Sequence, residues 1–218
     1  MDWFEPIDDY CERLGSGLLA EPWNAVSNAS FIAAAVLLFL QWHRSQARNG
    51  LSLLLIANVF VIGIGSLLFH TFGNRWSMLA DVLPITIFIH LYLLLALRSY
   101  VSLSWIIAAI LTLGFFFLSP ILGSWLHPFA GSSACYVPAL LAIFAVAAAV
   151  RHRLPDVSNG LFIAGCVFAI SIAFRAADQP LCASWPLGTH LMWHLLNGLV
   201  LYLLVRVYFR FTSMPEAH

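Results

Sequence analysis

Lysine is absent from the 218 residues, and charge of either sign is scarce: ten arginines and ten acidic residues, 9% of the chain. A soluble globular domain carries about 25% charged residues. So little charge cannot cover a water-facing surface, which excludes an ordinary soluble domain and makes lipid the main solvent. The formal net charge is zero, so the basic footprint that nucleic acid requires is missing. Solenoid-type repeats and low-complexity tracts are missing too. Met1–Glu21 is acidic and has no apolar core, so it does not read as a signal peptide.

What is present is apolar: 61% hydrophobic residues and a mean hydropathy of +0.89. Crossing a hydrocarbon core of ~30 Å takes about 20 mostly apolar residues. Seven stretches qualify: Ala25–Trp42, Ser52–Phe72, Asp81–Tyr100, Leu103–Leu122, Ser133–Arg151, Asn159–Arg175 and His190–Phe209. Short polar or Gly/Pro-containing breaks separate them. Backbone in lipid must satisfy its own hydrogen bonds, so the expected fold is all-α, a seven-transmembrane helix bundle. The expected organisation is an acidic N-terminal segment over residues 1–24, the bundle over 25–210 and a tail over 211–218. Arg44, Arg48, Arg98, Arg151, Arg153, Arg206 and Arg210 fall on one side of these spans, and Arg13, Arg75 and Arg175 on the other. This bias predicts an exterior N-terminus and a cytoplasmic C-terminus.

Ionisable residues inside spans are costly and mark functional sites. His70 lies near the outer exit of the second span, and His190 and His194 open the seventh from the same side. Residues four apart share a helical face, so His190 and His194 project about one turn apart. Two converging imidazoles plus one from another helix make an open tetrahedral site, with the fourth position left for water. Two further residues fit this shell. Ser66 lies one turn deeper than His70 on the same face, and Asp81 enters the third span from the outer side. Asp81 reads either as an acid–base or ligand-orienting carboxylate or as an ordinary helix N-cap. Ser66 reads equally as a packing residue, and a lone His in a bundle, such as His90, as a hydrogen-bonded one.

At these residues the chain resembles the alkaline ceramidases and, more distantly, the adiponectin and progestin receptors. Four blocks carry the resemblance. Glu21-Pro22-Trp23-Asn24-Ala25-Val26-Ser27-Asn28 looks like the E-x-W-N-x-x-S-N segment. Ser66-Leu67-Leu68-Phe69-His70 looks like S-x-x-x-H, and Asp81-Val82-Leu83-Pro84, eleven residues after the histidine, like D-E-L-P. Thr189-His190-Leu191-Met192-Trp193-His194 looks like the closing H-x-x-W-H. The resemblance implies that His70, His190 and His194 hold Zn²⁺ and that Ser66 and Asp81 complete the catalytic group. It implies Ca²⁺ in the N-terminal segment, with Asp9, Glu12 and Glu21 as side-chain ligands and Tyr10 and Leu14 as carbonyl donors. There the match departs from the family: the Asp9–Glu21 spacer is two residues shorter than in animal ceramidases, and Leu14 stands where those have Asn. It also implies a disulfide between Cys11 and Cys182, which suits an oxidising outer compartment.

The activity so implied is zinc-dependent amide hydrolysis of a membrane lipid, ceramide or another N-acyl lipid, to a fatty acid and a sphingoid base. The alternative is a receptor-like lipid-binding bundle with structural zinc. A haem-carrying or proton-coupled bundle using paired histidines is the third reading; the i,i+4 pair disfavours haem, because haem needs histidines facing each other across helices.

Overall fold

A computed structural model describes residues 2–15 and 17–213, so most of the expected tail, 214–218, lies outside the described residues. Among these residues the chain is helical. The helices are α1 (Pro22–Ser27), α2 (Ala29–Arg44), α3 (Gly50–Phe72), α4 (Arg75–Ser99), α5 (Trp105–Ala130), α6 (Val137–Val150), α7 (Pro155–Leu181) and α8 (His190–Ser213). A 3₁₀ turn, Gly131–Tyr136, joins α5 to α6. Local chemistry sets the starts. Asn49 accepts from the Leu51 N–H at the head of α3, Asn74 and Ser77 form a capping box on α4, and Ser104 accepts from the Ile107 N–H on α5. Gly73 ends α3 in the left-handed region at φ 54°.

Among the described residues six helical stretches are long and apolar enough to cross a membrane, one fewer than expected. The fourth and fifth expected spans fall within one helical stretch, Trp105–Val150. Its second limb, α6, has 14 residues, about 21 Å of helix, which alone falls short of the hydrocarbon core. The stretch is not straight. A Cβ built on Gly123 would lie 3.4 Å from the Cys135 Cα, so the 3₁₀ turn folds back onto α5.

Helices α2, α3, α7 and α8 pack as neighbours, with α4 against α3 and α6 against α7. Phe31, Leu55, Ile62, Phe88, Leu161, Trp193 and Leu204 belong to the buried core. The outer surface is no less apolar: Leu37, Phe60, Ile106, Phe117 and Phe162 are exposed. In water such a surface would aggregate; facing lipid it needs no cover. The protein is therefore a multi-pass membrane bundle.

One crossing bears on the site. Pro84 sits inside α4 and has no N–H to offer the Ala80 carbonyl one turn back. A Cβ on Gly65 of α3 would lie 2.1 Å from that same oxygen. Only glycine allows α3 so close to α4 here, and the contact brings the adjoining Ser66 and Asp81 to the same level. Because α4 begins at Arg75 under the Asn74 cap, Asp81 is an interior helical residue. The N-cap reading of Asp81 does not hold.

The N-terminal segment lies across the outer ends of the helices. Ile7 N–H donates to the Gly73 carbonyl at 2.8 Å, Trp76 N–H to Trp3 at 3.1 Å, and Arg75 pairs with Glu5 at 2.7 Å. A Cys11–Cys182 disulfide ties it to the end of α7.

Candidate metal centre

Helix α3 delivers His70 in its last turn, and α8 delivers His190 and His194 in its first two turns. The start of α8 is fixed from α7. Buried Asp178 accepts from the N–H groups of Thr189 at 2.7 Å and His190 at 2.9 Å, and its second oxygen accepts from Cys11 N–H at 3.1 Å. A carboxylate at a helix N-terminus satisfies free donors and complements the helix dipole. Gly188, at φ 70°, makes the turn before it; a side chain there would strike the Asp178 carboxylate and Cys11.

The three rings converge. Centroids are 5.1 Å apart for His70–His190, 4.7 Å for His70–His194 and 4.5 Å for His190–His194. One ring nitrogen from each lies within 4.8 Å of the others, and all three residues are buried. Outer partners orient two of the rings: His70 Nδ1 meets Glu21 Oε2 at 2.5 Å, and His194 Nδ1 meets Ser27 Oγ at 2.7 Å. Those bonds leave the Nε2 atoms of His70 and His194 for the centre. His190 Nδ1 is buried with no protein partner, and the Tyr10 ring stacks on this imidazole at 3.7 Å. Three buried imidazoles with oriented outer bonds are a donor set of the kind an open zinc site uses. The geometry is compatible with a metal ion.

A cavity of about 90 Å³ opens beside the histidines. A water needs 10–15 Å³ by the same measure, so there is room for several such groups. Tyr10, Ser66, Asp81, Arg175, His190 and His194 line its polar end, and Phe88, Tyr92, Ala96, Val146 and Leu204 its apolar depth. The Asp81 Oδ1 is buried there without a protein hydrogen bond. An unsatisfied buried carboxylate oxygen is costly and calls for a water, ion or functional explanation.

The side chains expected as calcium ligands, Asp9, Glu12 and Glu21, form no three-residue metal group: among the described residues the histidines are the one group of three or more metal-ligating side chains. Asp9 and Leu14 are exposed. Glu12 accepts from the N–H groups of Trp23 at 2.6 Å and Asn24 at 2.8 Å, capping α1. Glu21 is buried and paired with Arg13 and His70. Burial pushes its carboxyl up, but His70, Asn24 and Arg13 outweigh burial and hold it below its ordinary range. Tyr10 presents its ring rather than its carbonyl to the site, and burial pushes its phenol up to about 12, despite nearby Arg175.

Sequence reasoning assigned no role to Arg13, Ser27, Asp178 or Arg175. Ser27 stood in the quoted Glu21–Asn28 block, and Asp178 in none of the four. Arg175 lies near the Tyr10, Tyr136 and Trp193 rings, 5.2 to 5.9 Å from their centroids; no local pattern marked it.

The sequence model of a family described as Ceramidase matches residues 7–217. No curated protein matches the chain. With nearly its whole length covered, the three histidines included, this chain belongs to the ceramidase family, which indicates a hydrolase.

Proposed function

We propose that this protein hydrolyses the amide bond of ceramide-like N-acyl sphingolipids, using Zn²⁺ held by His70, His190 and His194. The observation that carries the reading is the juxtaposition of three buried imidazoles with an unpartnered carboxylate, Asp81, at the polar end of a hydrocarbon-lined cavity. A zinc ion supplies Lewis acidity there, enough to bring the pKa of water to ~7.

The chain's own residues do the rest. Asp81 Oδ1 takes a proton from the attacking water as that oxygen bonds to the amide carbon. Ser66 donates to the carbonyl oxygen as negative charge develops on it. The proton held by Asp81 passes to the amide nitrogen, the C–N bond breaks, and a fatty acid and a sphingoid base leave. Glu21 and Ser27 fix the tautomers and directions of His70 and His194. The acyl chain lies along the apolar depth beside Phe88, Tyr92 and Ala96. Ala96 is fifteen residues beyond Asp81 on α4, about 22 Å of helix, so the cavity follows the helix well into the hydrocarbon layer.

The arginine bias and the Cys11–Cys182 disulfide support an outward-facing site. The match to the ceramidase family favours the enzyme over a receptor-like binder with structural zinc. Purified protein incubated with an N-acyl sphingosine should release free fatty acid, and a zinc chelator should stop it. Binding of the lipid without product, zinc present, would favour the receptor reading instead.

A further inference from the structure

Calcium takes six to eight oxygen ligands, and both glutamates expected to supply them are already committed within the protein. Both Glu12 carboxylate oxygens are used by the α1 backbone. The Tyr10 carbonyl accepts from Arg13 N–H at 3.2 Å, and the Asp9 side chain is exposed. Leu14, expected to offer its carbonyl, is 90% exposed. Both Glu21 oxygens are engaged, one by Arg13 Nε and the other by His70 Nδ1 and Asn24 Nδ2. The donor set does not fit calcium.

A cation is nevertheless in place. Arg13 is 6% exposed. Beyond Glu21, its guanidinium donates to the carbonyls of Gly15 and His70, each at 3.4 Å. Its room is made by Gly73: a Cβ there would fall 2.3 Å from the Arg13 Cζ. One guanidinium thus joins the N-terminal segment, the head of α1 and the last turn of α3.

We propose that Arg13 is the built-in cation of this segment: it holds Glu21, and through Glu21 His70, where the family resemblance would put a calcium ion, so that this chain binds none. Arg13 is a positioning residue, acting on the metal through the carboxylate–histidine pair. The proposal rests on His70 being a zinc ligand, as in the hydrolase reading.

Elemental analysis and calorimetric titration of the full-length protein test it. Zinc should be present, calcium absent, and added Ca²⁺ up to millimolar concentration should give no binding heat and no shift in melting temperature. Competition with a chromophoric chelator should show Zn²⁺ held at least ~10-fold more weakly in Arg13→Gln, and nearly as tightly as in the parent in Arg13→Lys, which keeps the charge. Bound Ca²⁺ in the parent, parental zinc affinity in Arg13→Gln, or equal losses in both variants would overturn the proposal. The calcium measurement uses the unaltered chain and needs no variant to fold. A chain that binds both metals overturns this proposal alone; one that binds neither overturns the hydrolase reading with it.

Discussion

Among the residues of the site, Asp81 and the histidines make separable predictions. Replacing His70, His190 or His194 by Ala should remove bound zinc and turnover together while far-UV circular dichroism still reports the helices. Asp81→Asn keeps the shape and removes the proton acceptor. Zinc content should stay near the parent's while kcat falls about 10²–10⁴-fold. A variant with parental kcat would exclude Asp81 from proton transfer. Ser66→Ala should cost about 10²-fold if the hydroxyl serves the oxyanion, and almost nothing if it only packs. The histidines were legible in sequence because i,i+4 spacing and equal depth are both counted along the chain. Arg13, Ser27 and Asp178 were not, because each acts on a residue at least eight positions away, a relation no helical period encodes. Asp81 shows the limit differently: its two readings diverged on where α4 starts, and the Asn74–Ser77 box decided that.

At the level of helices, close approach replaces the hydrophobic effect, since lipid is as apolar as the helix surfaces it competes with. The α3–α4 crossing depends on Gly65 and on the carbonyl that Pro84 leaves without its helical partner. Gly65→Leu must push the helices apart, costing about 1–3 kcal/mol of overpacking. Thermal unfolding in detergent should register that loss, with turnover falling as Ser66 and Asp81 separate. At the head of α8, Asp178→Ala removes an acceptor shared by Thr189 and His190 and should lower stability by about 1–2 kcal/mol. If Asp178 matters only as a cap, zinc affinity will hold; if it also aims His190, affinity will drop.

For the whole molecule, the cavity and the N-terminal strap set the terms. Ala96 lines the deep end and is 3% exposed, so Ala96→Phe should shorten the space for hydrocarbon. A panel of N-acyl substrates should show turnover shifting towards shorter acyl chains; an unchanged profile would mean the chain does not lie there. The Cys11–Cys182 bond closes a separation of 171 residues, and losing it through Cys182→Ser should cost about 2–5 kcal/mol, read by thermal unfolding of matched samples.

Composition and hydrophobic run lengths alone determined that this chain lives in lipid as a helical bundle, and histidine spacing determined which imidazoles meet. Both are local, one-dimensional properties: how apolar a stretch is, and which residues share a turn. The tertiary structure decided the rest. It folded the expected fourth and fifth spans into one stretch that doubles back, gave Asp81 an interior place with a free oxygen, and laid Arg13 against Glu21 where calcium ligands were expected. Those outcomes depend on which chain segments come to lie side by side, and packing in three dimensions alone sets that.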